Sequence, residues 1–338
     1  MTGLDERFAL LQRVAREVSF VKGAPLVRQG EASRGAFLIR SGAARAQVAL
    51  PGGGLLPVAD FGPNDLFGEM ALLERGTVTA TVEAVSNVDA WFVGRDDFRA
   101  LVASREQGAL AIQRAITATL AARLRALNER VRAHPAEEDR PVRDPLPAGD
   151  PLAGVPRSRR ASFDWRAFLP ALPFFEGFDE QEIDEVAAAG RVIELPRGAW
   201  VFAAGADAGA CYLVLRGALE LSTRQGALER RVAIAGPGEL AGFMAILAGT
   251  PRSNHARVRE AGCLLELPAA AFLALYEGDS STTVSLQQAI HRSLLRSVWR
   301  TNTQLTRLIA HARLAAPAAA ELERALHGQL WRAEGGPG

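Results

Sequence analysis

The chain has 338 residues, 48% of them hydrophobic, and a formal net charge of +1. That length favours two domains with ordinary packed cores, and the near-zero charge gives no general pull toward nucleic acid or anionic membrane. Two cysteines, Cys211 and Cys263, are too few for a disulfide framework or a cysteine metal site.

In chain order, Leu10, Leu11, Val14 and Val18 space as an apolar helical stripe. Short alternating runs follow at Gly35 to Arg40, Ala44 to Leu50, Val58 to Phe61 and Val88 to Val93, with glycines between them. Such runs predict strands joined by tight turns. A helix is predicted over Leu110 to Val131, with Ile116, Leu120, Leu124, Leu127 and Val131 on one face. Ala133 to Ser162 carries six prolines among mixed charges and reads as an extended, mobile linker. After it, Phe168 to Phe178 with Ile183 and Val186 enters a second set of strands: Cys211 to Arg216, Ala218 to Thr223, Arg231 to Ala235 and Cys263 to Leu267. Ile290, Leu294, Val298, Thr301, Leu305, Leu308 and Ala312 form a last long stripe, and Ala318 to Trp331 a short helical tail.

The two sets are copies. Gly30, Phe37 and Gly42 match Gly205, Tyr212 and Gly217 at an offset of 175. Gly62, Gly68 and Val78 match Gly236, Gly242 and Arg252 at an offset of 174, one residue having been lost in the hairpin between. A repeat that long is a whole domain, not a solenoid unit. The expected boundaries are 1–134, a Pro/Arg-rich linker over 135–162, 163–316 and a tail over 317–338. The expected fold is mainly β with flanking helices: two jelly-roll barrels, each followed by a long C-terminal helix.

Each copy carries one motif. The first reads Phe67-Gly68-Glu69-Met70-Ala71 with Thr79-Ala80-Thr81 ten residues after the Glu; the second reads Gly242-Phe243-Met244-Ala245 with Pro251-Arg252-Ser253. They resemble the phosphate-binding cassette of cyclic-nucleotide-binding domains, and the tandem arrangement resembles the regulatory subunit of the cyclic-AMP-dependent protein kinase. The resemblance implies that helix-end amides and an Arg hold a cyclic phosphate and that a Glu binds the ribose 2′-hydroxyl. Helix-end amides and guanidinium groups suit an anion, and a carboxylate accepts from a hydroxyl. Carried onto this sequence, the first copy offers Phe67, Gly68, Glu69, Met70, Ala71, Thr79, Ala80 and Thr81, and the second Gly242, Met244, Ala245, Arg252 and Ser253. Each copy lacks one charged contact: Val78 stands at the Arg position and Phe243 at the Glu position. Arg75 lies three residues from Val78, on the wrong side of the turn, and His255 takes the usual Thr position near the second cassette's end.

No catalytic or metal-ligand constellation is present, so an enzyme is not expected, and no cofactor beyond a cyclic AMP or cyclic GMP ligand is implied. No helix-turn-helix segment follows the last long helix, no run reaches the ~18 apolar residues of a membrane span, and Asp5 and Glu6 argue against a leader; the expectation is a cytoplasmic regulatory protein without a DNA-binding module. It would sense a cyclic mononucleotide in the first domain and act on an unidentified protein partner; the alternative is a ligand-free pseudo-receptor that serves as a protein-interaction or dimerisation scaffold. The C-terminal helix packs on its own domain, lids its barrel or forms a homodimer. The linker's Arg159-Arg160-Ala161-Ser162 looks like that kinase's substrate motif; Ser162 equally suits a helix cap.

Overall fold

The computed structural model describes residues 14–49, 54–73, 76–133, 139–142 and 144–315. The chain forms two compact units, one reaching Ile116 and one starting at Thr117.

In the first unit, β1 (Arg16–Phe20), β2 (Pro25–Val27), β3 (Gly35–Ser41), β4 (Ala44–Ala49), β5 (Leu55–Phe61) and β6 (Leu66–Phe67) precede a one-turn helix, α1 (Met70–Leu73). Then come β7 (Thr81–Ala84), β8 (Val88–Gly94) and α2 (Arg95–Ala103). The strands make two antiparallel four-stranded sheets, ordered β1-β8-β3-β6 and β2-β7-β4-β5. This is the expected jelly roll. Period-two alternation drives it: Val88 and Ala90 are buried while Asp89 between them is exposed. The interior is filled by aromatic rings. Phe37 stacks on Phe67 at 5.1 Å and meets Phe92 at 4.9 Å, and Phe61 meets Phe67 at 5.0 Å. Val18 lies in β1, so the predicted helical stripe does not extend to it; Leu10 and Leu11 lie outside the described residues. The helix α3 (Gln107–Ala133) begins in this unit and continues into the second.

The second unit repeats the plan with α4 (Glu180–Ala189), β10 (Arg191–Leu195), β11 (Trp200–Phe202), β12 (Ala210–Gln225), β13 (Leu228–Ala235), β14 (Leu240–Ala241), α5 (Phe243–Ala248), β15 (His255–Pro268), α6 (Ala269–Glu277) and α7 (Ser281–Ala315), after a short β9 (Arg140–Pro141). An Asp179–Glu182 capping box starts α4. The two strands predicted over 211–223 are one strand, β12, bent at Gly217. There φ is +84° and an added Cβ would lie 2.7 Å from the Glu260 carbonyl, so only glycine lets the strand turn and stay paired.

The repeat register holds in backbone hydrogen bonds. Gly30 N–H donates to Val78 O and Val78 N–H to Glu31 O, both at 2.8 Å; Gly205 N–H donates to Arg252 O at 2.8 Å and Arg252 N–H to Ala206 O at 2.9 Å. Val78 and Arg252 are therefore structurally equivalent.

Two expectations change in this unit. The compact units do not follow the boundaries at 134 and 162: Thr117 to Ala133 and the described part of the linker belong with the second barrel. The linker is not free. β9 pairs with β13, Arg230 holds Asp139 through two bonds of 2.6 and 2.7 Å, and Ser158 and Val192 exchange two backbone bonds. Its prolines favour extended chain, and an extended chain can join a sheet edge as readily as it can stay solvated. The stripe of α7 is likewise occupied. Ile290, Leu294, Val298 and Leu305 are buried, His291 contacts Thr117, and Thr301 meets Asn128 at 3.4 Å, so α7 and the second half of α3 run parallel. The predicted tail lies outside the described residues.

Candidate functional site

The first cassette starts where β6 pairs with Phe37 and Leu38. Gly68 turns the chain at φ +74°, and a Cβ there would sit 3.0 Å from the Gly35 carbonyl, which brings the cassette backbone close to β3. Ala71 and Leu72 are buried and anchor the helix turn; Met70 is half-buried. Arg95 adds a strut, donating to Ala71 O at 2.5 Å and to Ser33 O. Glu69 is half-buried, and among the described residues its carboxylate accepts no hydrogen bond and makes no ion pair. Phe67 is engaged in the aromatic core and Ala80 packs against that core. Thr79 is exposed. Thr81 accepts from Gln29 N–H at 3.0 Å. The Val78 side chain is half-buried and brings no charge; Arg75 lies outside the described residues.

The second cassette has the opposite character. Gly242 has φ +82° and an added Cβ would collide with the Arg252 guanidinium. Arg252, 5% exposed, donates from Nη1 to Gly242 O at 2.7 Å and from Nη2 to Ala210 O, and its guanidinium lies 4.3 Å over the Phe202 ring. Burial pushes its pKa below the usual arginine value. The cation expected to face a phosphate is thus turned into the barrel, closing the cassette on itself. Phe243 and Ala245 are buried, Met244 is half-buried and Ser253 is exposed. His255 is a core residue: its Nδ1 accepts from Ala204 N–H at 3.0 Å. Thr81 and Gln29 make the matching bond in the first barrel, so a hydroxyl and an imidazole nitrogen do the same work of satisfying one turn amide. Burial pushes the His255 pKa down, which keeps that nitrogen free to accept.

Sequence reasoning missed Phe202 as the partner of Arg252. The signal was available: Val27 precedes Phe202 by 175 residues, so Val27 with Val78 in one copy corresponds to Phe202 with Arg252 in the other. Ser162 donates to Glu194 at 2.5 Å on the surface and Arg159 and Arg160 are exposed; Ser162 does not cap a helix. Cys211 and Cys263 are buried and free, and burial pushes the Cys263 thiol up to about 12, so neither is a ready nucleophile. Among the described residues no cluster of three metal-ligating side chains occurs and no helix is long and apolar enough to cross a membrane.

The cyclic nucleotide-binding domain family model matches residues 17–105 and 192–279, more than half of the chain. The chain belongs to the cyclic nucleotide-binding domain family. Both matches cover the barrels and their cassettes, and the chain is a tandem member of that family. It is 34% identical over 83 residues to the cyclic AMP receptor protein of Thermus thermophilus, covering 25% of this chain and 38% of that one. It is 28% identical over 120 residues to the CRP-like cAMP-activated global transcriptional regulator of Mycobacterium tuberculosis, covering 36% of this chain and 52% of that one. The chain thus spans about half or less of these relatives' length. Among solved structures, the regulatory domain of Toxoplasma gondii PKA with cAMP is 19% identical, with 88% of this chain and 90% of that one covered at a TM-score of 0.33.

Proposed function

We propose that this cyclic nucleotide-binding family member is a non-enzymatic regulatory protein whose first barrel takes a cyclic ribonucleotide, cyclic AMP or cyclic GMP, while its second barrel is closed to nucleotides. The observation that carries this reading is the Glu69 carboxylate, held at the first cassette with no partner among the described residues. With no donor from the described residues occupying it, that carboxylate is open to accept from a ribose 2′-hydroxyl. The named relatives are cyclic-AMP-responsive regulators, which agrees with the class. Phosphate would be held by the cassette amides alone, because Val78 supplies no charge, so binding is weak. In the second barrel the internal engagement of Arg252 supports a ligand-free state.

The test is a thermal-shift titration of the full chain with millimolar cyclic AMP, cyclic GMP, the 2′-deoxy cyclic nucleotides and adenosine. A ligand at a hundred times its Kd stabilises by about 2.7 kcal/mol. A shift with a ribonucleotide and none with its 2′-deoxy analogue supports the reading. Equal shifts would remove Glu69 from the site. No shift with any compound would leave a protein-holding scaffold as the function.

A further inference from the structure

The second barrel keeps a Phe202–Tyr212 stack but lacks other rings that fill the first. Tyr212 pairs with Ala241 and Glu266 where Phe37 pairs with Phe67 and Phe92. Leu219 pairs with Ala235 where Ala44 pairs with Phe61. Two phenylalanines have become alanines and a third a carboxylate, while Leu219, Val258 and Leu264 stand where the first barrel has Ala44, Ala84 and Ala90, so the second interior is packed on a different plan with small side chains at Ala235 and Ala241.

A side chain from outside the barrel joins that interior. Leu152, in the interdomain segment, is 1% exposed and belongs to the same buried cluster as Tyr212, Ala235 and Ala241; Val155 packs against it. Five residues on from Leu152, Arg157 donates to both oxygens of Glu266, at 2.6 and 3.1 Å, and the Glu266 side chain is only 8% exposed. An apolar barrel interior does not hold a lone carboxylate without a cation, so Glu266 and Arg157 need each other. Ser158 then bridges Val192 on the free edge of β10. A side chain in a hole, a charge-paired arginine and a backbone bridge to a sheet edge are the components of peptide recognition by a sheet. The peptide pattern is apolar–x–x–apolar–x–Arg.

We propose that the second barrel is a peptide-binding module and that its bound peptide is the chain's own residues 150–158, held in cis. This stands apart from whatever the first barrel binds. Being tethered, the segment faces its groove at a high effective concentration and keeps other peptides out. It lies beyond β9 in the sequence, separated from α3 by residues 134–149; the groove opens when residues 150–158 detach as a local unit while the barrel stays folded.

Hydrogen exchange on the full chain tests this first. The Val155, Ser158 and Val192 amides, which donate respectively within the segment, from it to β10 and from β10 to it, should exchange at least tenfold faster than amides of β12 and β15; exchange at the same rate would make the segment an inseparable part of the barrel and overturn the proposal. A second test uses Leu152→Asp with Arg157→Ala. A fluorescent peptide of residues 148–159 should bind the variant saturably and the wild type at least tenfold more weakly. Equal binding to both, or no binding to a folded variant, would overturn it. Should that variant not fold, Ala241→Phe restores the ring that Phe67 supplies in the first barrel and leaves the segment's sequence intact. The segment's amides should then lose protection while the β15 amides keep theirs; unchanged protection of the segment would overturn the proposal.

Discussion

The two barrels share topology, register and cassette backbone, yet solve the problem of an interior in opposite ways. The first fills itself with stacked phenylalanines and leaves its cassette carboxylate, Glu69, without a partner among the described residues. The second turns its cassette cation inward onto Gly242 O, Ala210 O and the Phe202 ring, and takes Leu152 and Arg157 from the interdomain segment. The comparison teaches that a binding residue is defined by what its neighbours leave it to do. Arg252 stands where the family motif puts a phosphate contact, and here its guanidinium is engaged by the Phe202 ring and two backbone carbonyls.

The largest effect should come from giving the first barrel the cation that it lacks. Val78→Arg should tighten cyclic AMP binding by about two to four decades, from about 2–5 kcal/mol of paired charge, because Val27 offers no ring to capture the guanidinium. Calorimetric titration measures it. Adding Val27→Phe should shrink the gain; an undiminished gain would show that the ring is not what holds Arg252 inward.

Removing the second barrel's cation comes next. Arg252→Met leaves two carbonyls, one buried and one part-buried, without their donors, at about 1–3 kcal/mol each, and should destabilise the second barrel by about 2–6 kcal/mol in urea unfolding. A variant as stable as the wild type would mean that Arg252 is not a strut. Glu69→Ala in the first barrel should cost about 1.5–3 kcal/mol of affinity for a ribonucleotide and nothing for its 2′-deoxy analogue; equal losses for both would make Glu69 structural.

The smallest effect separates Thr81 from His255. Burial, then Arg224, lowers the His255 pKa, with Glu229 opposing. The folded value lies below the ordinary 6.5, so as pH falls below about 6.5 the unfolded chain binds the proton first and stability declines. Unfolding midpoints of the wild type and His255→Thr, followed between pH 7.5 and 5, should diverge, with the wild type losing more. Parallel curves would show that the imidazole is not held neutral.

Much of this was legible in the sequence. The glycine-spaced strands and the offset of 174 to 175 residues located both barrels, and the cassettes pointed to the family. The spacing of Ile290, Leu294, Val298 and Leu305 located α7, and the same stripe on α3 located its helix. The local signals were strong because strand alternation and helical periodicity are properties of neighbouring residues. What the stripes face was not legible: α7 and the second half of α3 pair with each other, and periodicity marks a buried face without naming its partner.

The linker shows the limit most clearly. Six prolines and mixed charges predict extended chain, and residues 140–141 are extended. Composition carries no term for Ala235 and Ala241, roughly 80 to 90 residues downstream, whose small side chains sit in one buried cluster with Leu152. The sequence by itself determined the two barrels, their shared register and the residue types at each cassette, because those follow from local spacing. Only the tertiary structure decided that Arg252 faces inward, that His255 does the work of Thr81, and that the interdomain segment is docked. Each of these depends on volumes, carbonyls and charges contributed by residues far apart in the chain.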